Sequence, residues 1–143
     1  MLLPGLKDWE RFRMMELSSA EAAGLEMPPR LDREQLEQID QLEAFRPGFR
    51  RSLRSMFERN AKQQVDACTE AAAGTELEVL RKAAHALTGT ASSIGAARLS
   101  ALSARIAKQA EEGDAAGAQA TVHLLAPELA ATLAALQAWP SAG

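Results

Sequence analysis

Tyrosine is absent from this 143-residue chain and aromatic residues make up only 4% of it, so large rings cannot dominate its core. There is a single cysteine, Cys68, which excludes an internal disulfide, and with two histidines no Cys/His metal cluster can be assembled. A reducing, cytoplasmic setting is the expectation from that cysteine usage. Charge of one sign is also lacking. The net charge of −3 gives no case for nucleic acid or an anionic membrane as a partner. No uninterrupted apolar run is long enough to span a bilayer: the longest apolar-looking stretch, Val122 to Trp139, contains His123, Pro127, Glu128, Thr132 and Gln137. The opening "MLLPGL" is too short for a signal-peptide core.

What is present is alanine and leucine. Hydrophobic residues reach 47%, enough to bury a core, and β-branched residues are few, which favours packed helices over sheets. Residues 1–30 differ from the rest. Leu6, Trp9, Phe12 and Met15 have helical spacing, which fits either a short amphipathic helix or a flexible leader, followed by a linker that ends at a Pro-Pro pair. Residues 31–139 are expected to form one domain. Asp32 with Gln35 makes a capping box for a short helix to about Leu42. Pro47 suits the first turn of a long helix with Phe49, Leu53, Met56, Phe57, Ala61, Gln64, Val65 and Cys68 on one face, closed by Gly74 in a left-handed conformation. Thr75 with Glu78 makes a second capping box and opens the next helix, which Gly95 ends. Leu99, Leu102 and Ile106 face inward on the following helix, which stops at Gly113; Asp114 caps the last. In that last helix the three–four spacing carries across Pro127, predicting one kinked helix. The fold class is therefore all-α: an antiparallel up-down four-helix bundle with a short capping helix and an extra N-terminal helix.

The third long helix carries the chemistry. Leu77, Leu80, Ala84, Leu87, Ala91 and Ile94 form its inward stripe. At about 100° per residue, His85 stands roughly 130° from the stripe's centre and points to solvent. Glu78, Arg81, Lys82, Gly89 and Ser92 share its side, with Thr88 on the flank. An exposed histidine is ordinarily just a solvated polar residue. Gly89 argues for more, because a helix-interior glycine costs about 0.5–1 kcal/mol relative to alanine. One turn after His85, it leaves a side of the imidazole open to another molecule. His123 has no such opening and reads as structural or solvated; Cys68 reads as a small buried hydrophobe.

The stretch "AHALTGTASSIGAARLSALSARI" resembles the histidine-containing phosphotransfer domain of multistep phosphorelays. His85, Leu87, Gly89, Gly95, Ala96, Leu99, Leu102 and Ile106 match that pattern without a gap, and "LEVLRKAAH", "EEGD" and "RLDREQL" extend the likeness over about residues 30 to 138. The resemblance implies that His85 accepts a phosphoryl group from a receiver-domain aspartate and hands it to another receiver. The partners it implies are response-regulator receivers and a hybrid histidine kinase, with a monomeric carrier that is no autonomous enzyme. Mg²⁺ would belong to the receiver, and this chain would need no cofactor. One residue departs from the pattern: Thr88 stands where the family has a lysine. Arg81 or Lys82, one turn before His85, are the candidates to supply the missing charge. Six bases between residues 46 and 62 (Arg46, Arg50, Arg51, Arg54, Arg59 and Lys62) face one acid, Glu58. They are candidates for steering an acidic receiver, with Arg50 and Arg54 at the docking border, or else an ordinary solvated helix face. The competing readings are a phosphotransfer-like bundle that only binds a receiver, kinase or enzyme, favoured by Thr88, and a purely structural bundle, which leaves Gly89 unexplained.

Overall fold

Among the described residues six helices follow one another: α1 (Arg33–Phe45), α2 (Phe49–Ala73), α3 (Leu77–Ser93), α4 (Ala97–Glu111), α5 (Ala115–Val122) and α6 (Leu125–Gln137). The structure is a computed structural model and describes residues 27–139. The amphipathic helix expected around Leu6 to Met15 lies outside the described residues. Among the described residues there is no strand. α2, α3, α4 and the consecutive α5–α6 pair form the four-helix bundle, joined by turns too short for anything but antiparallel neighbours.

Each helix buries the stripe its sequence spacing dictates. Phe57, Ala61, Val65 and Cys68 of α2 meet Leu80, Ala84, Leu87 and Ala91 of α3, Leu99, Leu102 and Ile106 of α4, and Leu125, Leu129 and Leu136 of α6. Alanines at 61, 84 and 91 are fully buried and let the helix axes approach closely. Cys68 is free and buried, and burial pushes its thiol up to about 11. Met56, expected inward on α2, is half exposed because it lies on the stripe's edge.

α1 covers the end of the bundle at which α3 turns into α4. The Asp32 carboxylate accepts from the Glu34 and Gln35 amides, as expected of an N-cap. The reciprocal half of the capping box is not made: the Gln35 side chain donates instead to the Ser93 carbonyl, and the Asp32 amide donates to the Gly95 carbonyl at 2.7 Å. Gly95 is obligatory here. Its φ is +78°, and a Cβ at this position would lie 3.2 Å from Gln35 and 3.3 Å from the Asp32 carbonyl. Pro47 precedes α2 in the turn rather than sitting in its first turn, and Gly48 (φ +87°) is the N-cap. Glu43 supplies the capping acceptor from the preceding helix, taking the amides of Gly48 and Arg50 at 2.9 and 2.7 Å. These bonds hold the Glu43 carboxyl below the usual carboxylate range.

Three expectations about helix ends and continuity fail. Gly74 is right-handed (φ −86°), and Thr75 takes the left-handed position with φ +57°. The Thr75 amide donates to Ala72 and the Glu76 amide to Ala71, the pair of bonds that closes a helix when the residue after the C-cap is left-handed. Thr75 therefore caps nothing in α3, whose N-cap is Glu76 without a side-chain bond. The last helix is not kinked but broken, into α5 and α6. Pro127 has no N–H to give the His123 carbonyl one turn back, so the ladder lapses at His123 and Leu124 while the backbone stays in the right-handed region. Asp114 caps α5 through the Gly117 amide, as expected.

The residues just before α1 are fastened to the bundle by charge. Arg30, within the expected linker, is buried and donates from Nε to Glu128 Oε2 at 2.7 Å and from Nη2 to Oε1 at 3.3 Å. Thr132, fully buried, donates to the same carboxylate, and buried Arg98 donates to the Pro28 carbonyl.

Two stability measurements follow from these contacts. Thr75→Gly should raise the unfolding free energy by about 1 kcal/mol, because a β-branched residue is strained at positive φ; the urea midpoint should rise with an unchanged slope. Arg30→Met leaves the Glu128 carboxylate buried with only the Thr132 hydroxyl against it and should cost about 3 kcal/mol, whereas Arg30→Met with Glu128→Leu should recover most of that loss.

Candidate functional site

His85 is the ninth of the 17 residues of α3, far from both helix ends, and its side chain is exposed. The burial of Leu80, Ala84, Leu87 and Ala91 to 0% exposure fixes the helix rotation that puts it there. Helical side chains lean toward the N-terminus of their helix, so a side chain at position 89 would lie over the spot His85 occupies. Gly89 has none. A Cβ built on it meets no atom within 4 Å, so nothing in the protein's packing calls for glycine there. Gly95, which the fold demands, is the opposite case.

Thr88 is half-buried, and its hydroxyl donates to the Ala84 carbonyl one turn back at 2.9 Å. It contributes no charge near His85. Ser92, expected among the surroundings of the imidazole, faces α4: its hydroxyl meets that of Ser100 at 2.8 Å, and Ser100 also reaches the Thr88 carbonyl at 3.4 Å. Ser100 thus seals the α4 flank of the site. Its part was not visible in the sequence, where one serine among small residues carries no partner information.

Lys82 is exposed one turn before His85. Arg81 occupies the adjoining position and is held by Glu78 in a two-pronged pair, Nε to Oε2 at 3.0 Å and Nη2 to Oε1 at 2.7 Å. The hydrogen-bonded pair lowers the Glu78 carboxyl below its ordinary range and raises the Arg81 guanidinium above its own. Glu78 is largely solvated and Arg81 about one-third exposed, so water screens the pair and it is a weak one.

The two arginines expected at the docking border differ in their surroundings. Arg50 is committed internally: Nη1 is 3.1 Å from Asp40 Oδ1 and Nη2 donates to the Trp139 carbonyl at 2.8 Å, while the Trp139 indole donates to Asp40 Oδ2. It anchors α1 and the end of α6 to α2 and is no free docking charge. Arg54 is half-buried and lines a shallow notch with Leu53, Leu136 and Trp139. Arg46, stacked over the Phe49 ring at 5.8 Å, and Arg51, Arg59 and Lys62 are the exposed members of the basic run. His123 is exposed at the α5–α6 break. Among the described residues no group of three or more His, Cys, Asp or Glu side chains converges on a metal site, and no helix is long and apolar enough to cross a membrane.

The sequence profile of the Hpt domain matches residues 52–139, and the chain belongs to that family. Its role is accordingly phosphotransfer in phosphorelays, among receiver domains and kinases. The fold is similar to that of a rice protein solved by X-ray crystallography and assigned as a histidine-containing phosphotransfer protein, with a TM-score of 0.68 and 16% identity over 92% of this chain and 91% of that one. It is also similar to the crystal structure of the maize histidine-containing phosphotransfer protein ZmHP2, with a TM-score of 0.70 and 18% identity over 92% of this chain and 93% of that one. No curated protein sequence matches it.

The unfilled space at Gly89 yields a direct test. Gly89→Ala should stabilise the folded protein by about 0.5–1 kcal/mol through helix propensity alone, read as a raised urea midpoint. A loss of stability would mean that the fold, after all, requires the glycine.

Proposed function

We propose that His85 is the phosphoryl acceptor, loaded from the aspartyl phosphate of one receiver domain and discharged to the aspartate of another. The observation that carries this reading is the pairing of an exposed mid-helix imidazole with a glycine that packing does not need. The transfer balances simply. The unprotonated ring nitrogen attacks phosphorus, the N–P bond forms as the acyl P–O bond breaks, and that bonding pair stays on the receiver's carboxylate. The ring is left as a phosphoimidazolium that still carries its other N–H. Discharge is the same displacement in reverse, with a second carboxylate as nucleophile. Such a transfer depends on alignment and on charge neutralisation of the phosphoryl oxygens. In this reading the receiver supplies Mg²⁺, and this chain supplies a rigid, unobstructed ring. Lys82 and Arg81 are the cations within one helical turn.

A second reading, a bundle that docks receivers without carrying phosphate, is favoured by Thr88, whose hydroxyl is tied to the helix backbone in place of a cation. One experiment separates the two. The chain is incubated with the phosphorylated receivers encoded in the same genome. Carriage predicts a label that is labile in acid, stable in base and lost in His85→Gln; binding alone predicts complex formation with no label. In the carrier reading Gly89→Leu, which places a side chain over the ring, should slow loading about tenfold or more while the protein stays folded.

A further inference from the structure

We propose that Glu78 is a positioning residue: it holds Arg81 away from His85 and thereby sets how strongly a phosphoryl group on that ring is retained. This rests on the reading of His85 as acceptor and adds a named competitor to it. Glu78, Arg81, His85 and Gly89 stand at successive three- and four-residue steps, so they form one ridge along the exposed face of α3. The His85 side chain leans toward the turn that carries Arg81. A phosphoryl group on the ring therefore comes within the guanidinium's reach, and its oxygens match the planar fork as well as a carboxylate does. In the unmodified protein both prongs of that fork are occupied by Glu78, at 2.7 and 3.0 Å. Glu111 of α4 acts on Arg81 in the same sense, and Lys82 acts on Glu78. The pair is exposed on both sides, 36% for Arg81 and 66% for Glu78, so it can be exchanged without opening the core.

Phosphorylation then turns a two-body pair into a three-body competition. The guanidinium moves from the Glu78 carboxylate to the phosphoryl oxygens, and Glu78 is left facing a like charge. Glu78 thus opposes retention twice, by withholding the cation and by repelling the dianion. Only the first effect passes through Arg81.

The test uses phosphoramidate as the donor, in a His123→Gln background so that one imidazole remains. The ring nitrogen attacks phosphorus, the donor's N–P bond breaks, and its bonding pair leaves on ammonia. At a fixed ratio of phosphoramidate to ammonia, intact mass reads the proportion of phosphorylated chain. Glu78→Gln should raise the ratio of phosphorylated to free His85 about two- to fivefold, the range an exposed ion pair can supply. Arg81→Ala should lower it by a similar factor, and most of the Glu78→Gln effect should vanish once Arg81 is also replaced, as a double-mutant cycle requires. An effect of Glu78→Gln that is absent, or undiminished without Arg81, would overturn the proposal and leave His85 as acceptor. A chain that takes no phosphoryl group, or one that still takes it as His85→Gln, would end both.

Discussion

Rotation of α3 about its own axis is held by Leu80, Ala84, Leu87, Ala91 and Ile94, all at most 3% exposed. Turning the helix by one residue's angle would carry Leu80, Leu87 and Ile94 toward water, at about 2 kcal/mol each. A loss of about 6 kcal/mol is comparable to the whole net stability of a small domain. Local preferences on the outer face are several times smaller than that. The glycine at 89 weakens the helix by about 1 kcal/mol at most, and the Glu78–Arg81 pair contributes less. The core therefore dictates that the imidazole faces outward, and the outer face remains free to vary for chemistry. Function sits on this helix as a small perturbation to a rotation determined elsewhere.

The axial position of α3 against α4 is governed separately. Gly95 makes the turn at positive φ, and its lack of a Cβ lets Asp32 and Gln35 close onto it. The Ser92–Ser100 and Ser100–Thr88 bonds then fix the stagger of the two helices next to the imidazole. At this end of the bundle α1, the Trp139–Asp40–Arg50 triad and the Arg30–Glu128 clasp all converge. The opposite end is closed by ordinary helix turns and by Gln119, which donates to the Ala72 carbonyl. The site thus lies between one end fastened by long-range polar contacts and another fastened by local ones.

The same division explains what could be read without coordinates. Apolar periodicity is a local property, so the core stripes, the four-helix count and the outward direction of His85 were legible. Helix ends turn on single residues: glycine's freedom suggested position 74 for the left-handed slot, but the bond pattern places that slot one residue later, on Thr75. Pro127 signalled a disturbance, and its missing donor acts four residues upstream, which converts a kink into a break. Arg30, Arg50, Arg98 and Glu128 look like solvent-facing residues because charge is normally exposed. Their partners lie up to 98 residues away, and no local pattern encodes a contact of that span. For the candidate site, the imidazole and its glycine belong to the legible class, whereas Ser100 and the Glu78–Arg81 pairing belong to the other.

The two ion pairs of the molecule that matter most sit at opposite electrostatic limits, and each suits its place. Arg30–Glu128 is about nine-tenths buried, satisfied by Thr132, and has no reason to exchange partners. Arg81–Glu78 faces solvent, and water screens it. A carrier needs the second kind beside its reactive ring. A cation buried like Arg30 could hold a phosphoryl group by several kcal/mol, which is a factor of a hundred or more against release. A solvated arginine already engaged by a carboxylate can offset only a fraction of the phosphoryl charge. Under the proposed acceptor role of His85, that fraction would steady the group between partners and still let a second aspartate take it. The lysine position filled by Thr88 points the same way, since the nearest cations on α3, Arg81 and Lys82, are in the turn before the ring and neither is buried. Weak electrostatics at this surface is therefore what the proposed carrier role requires.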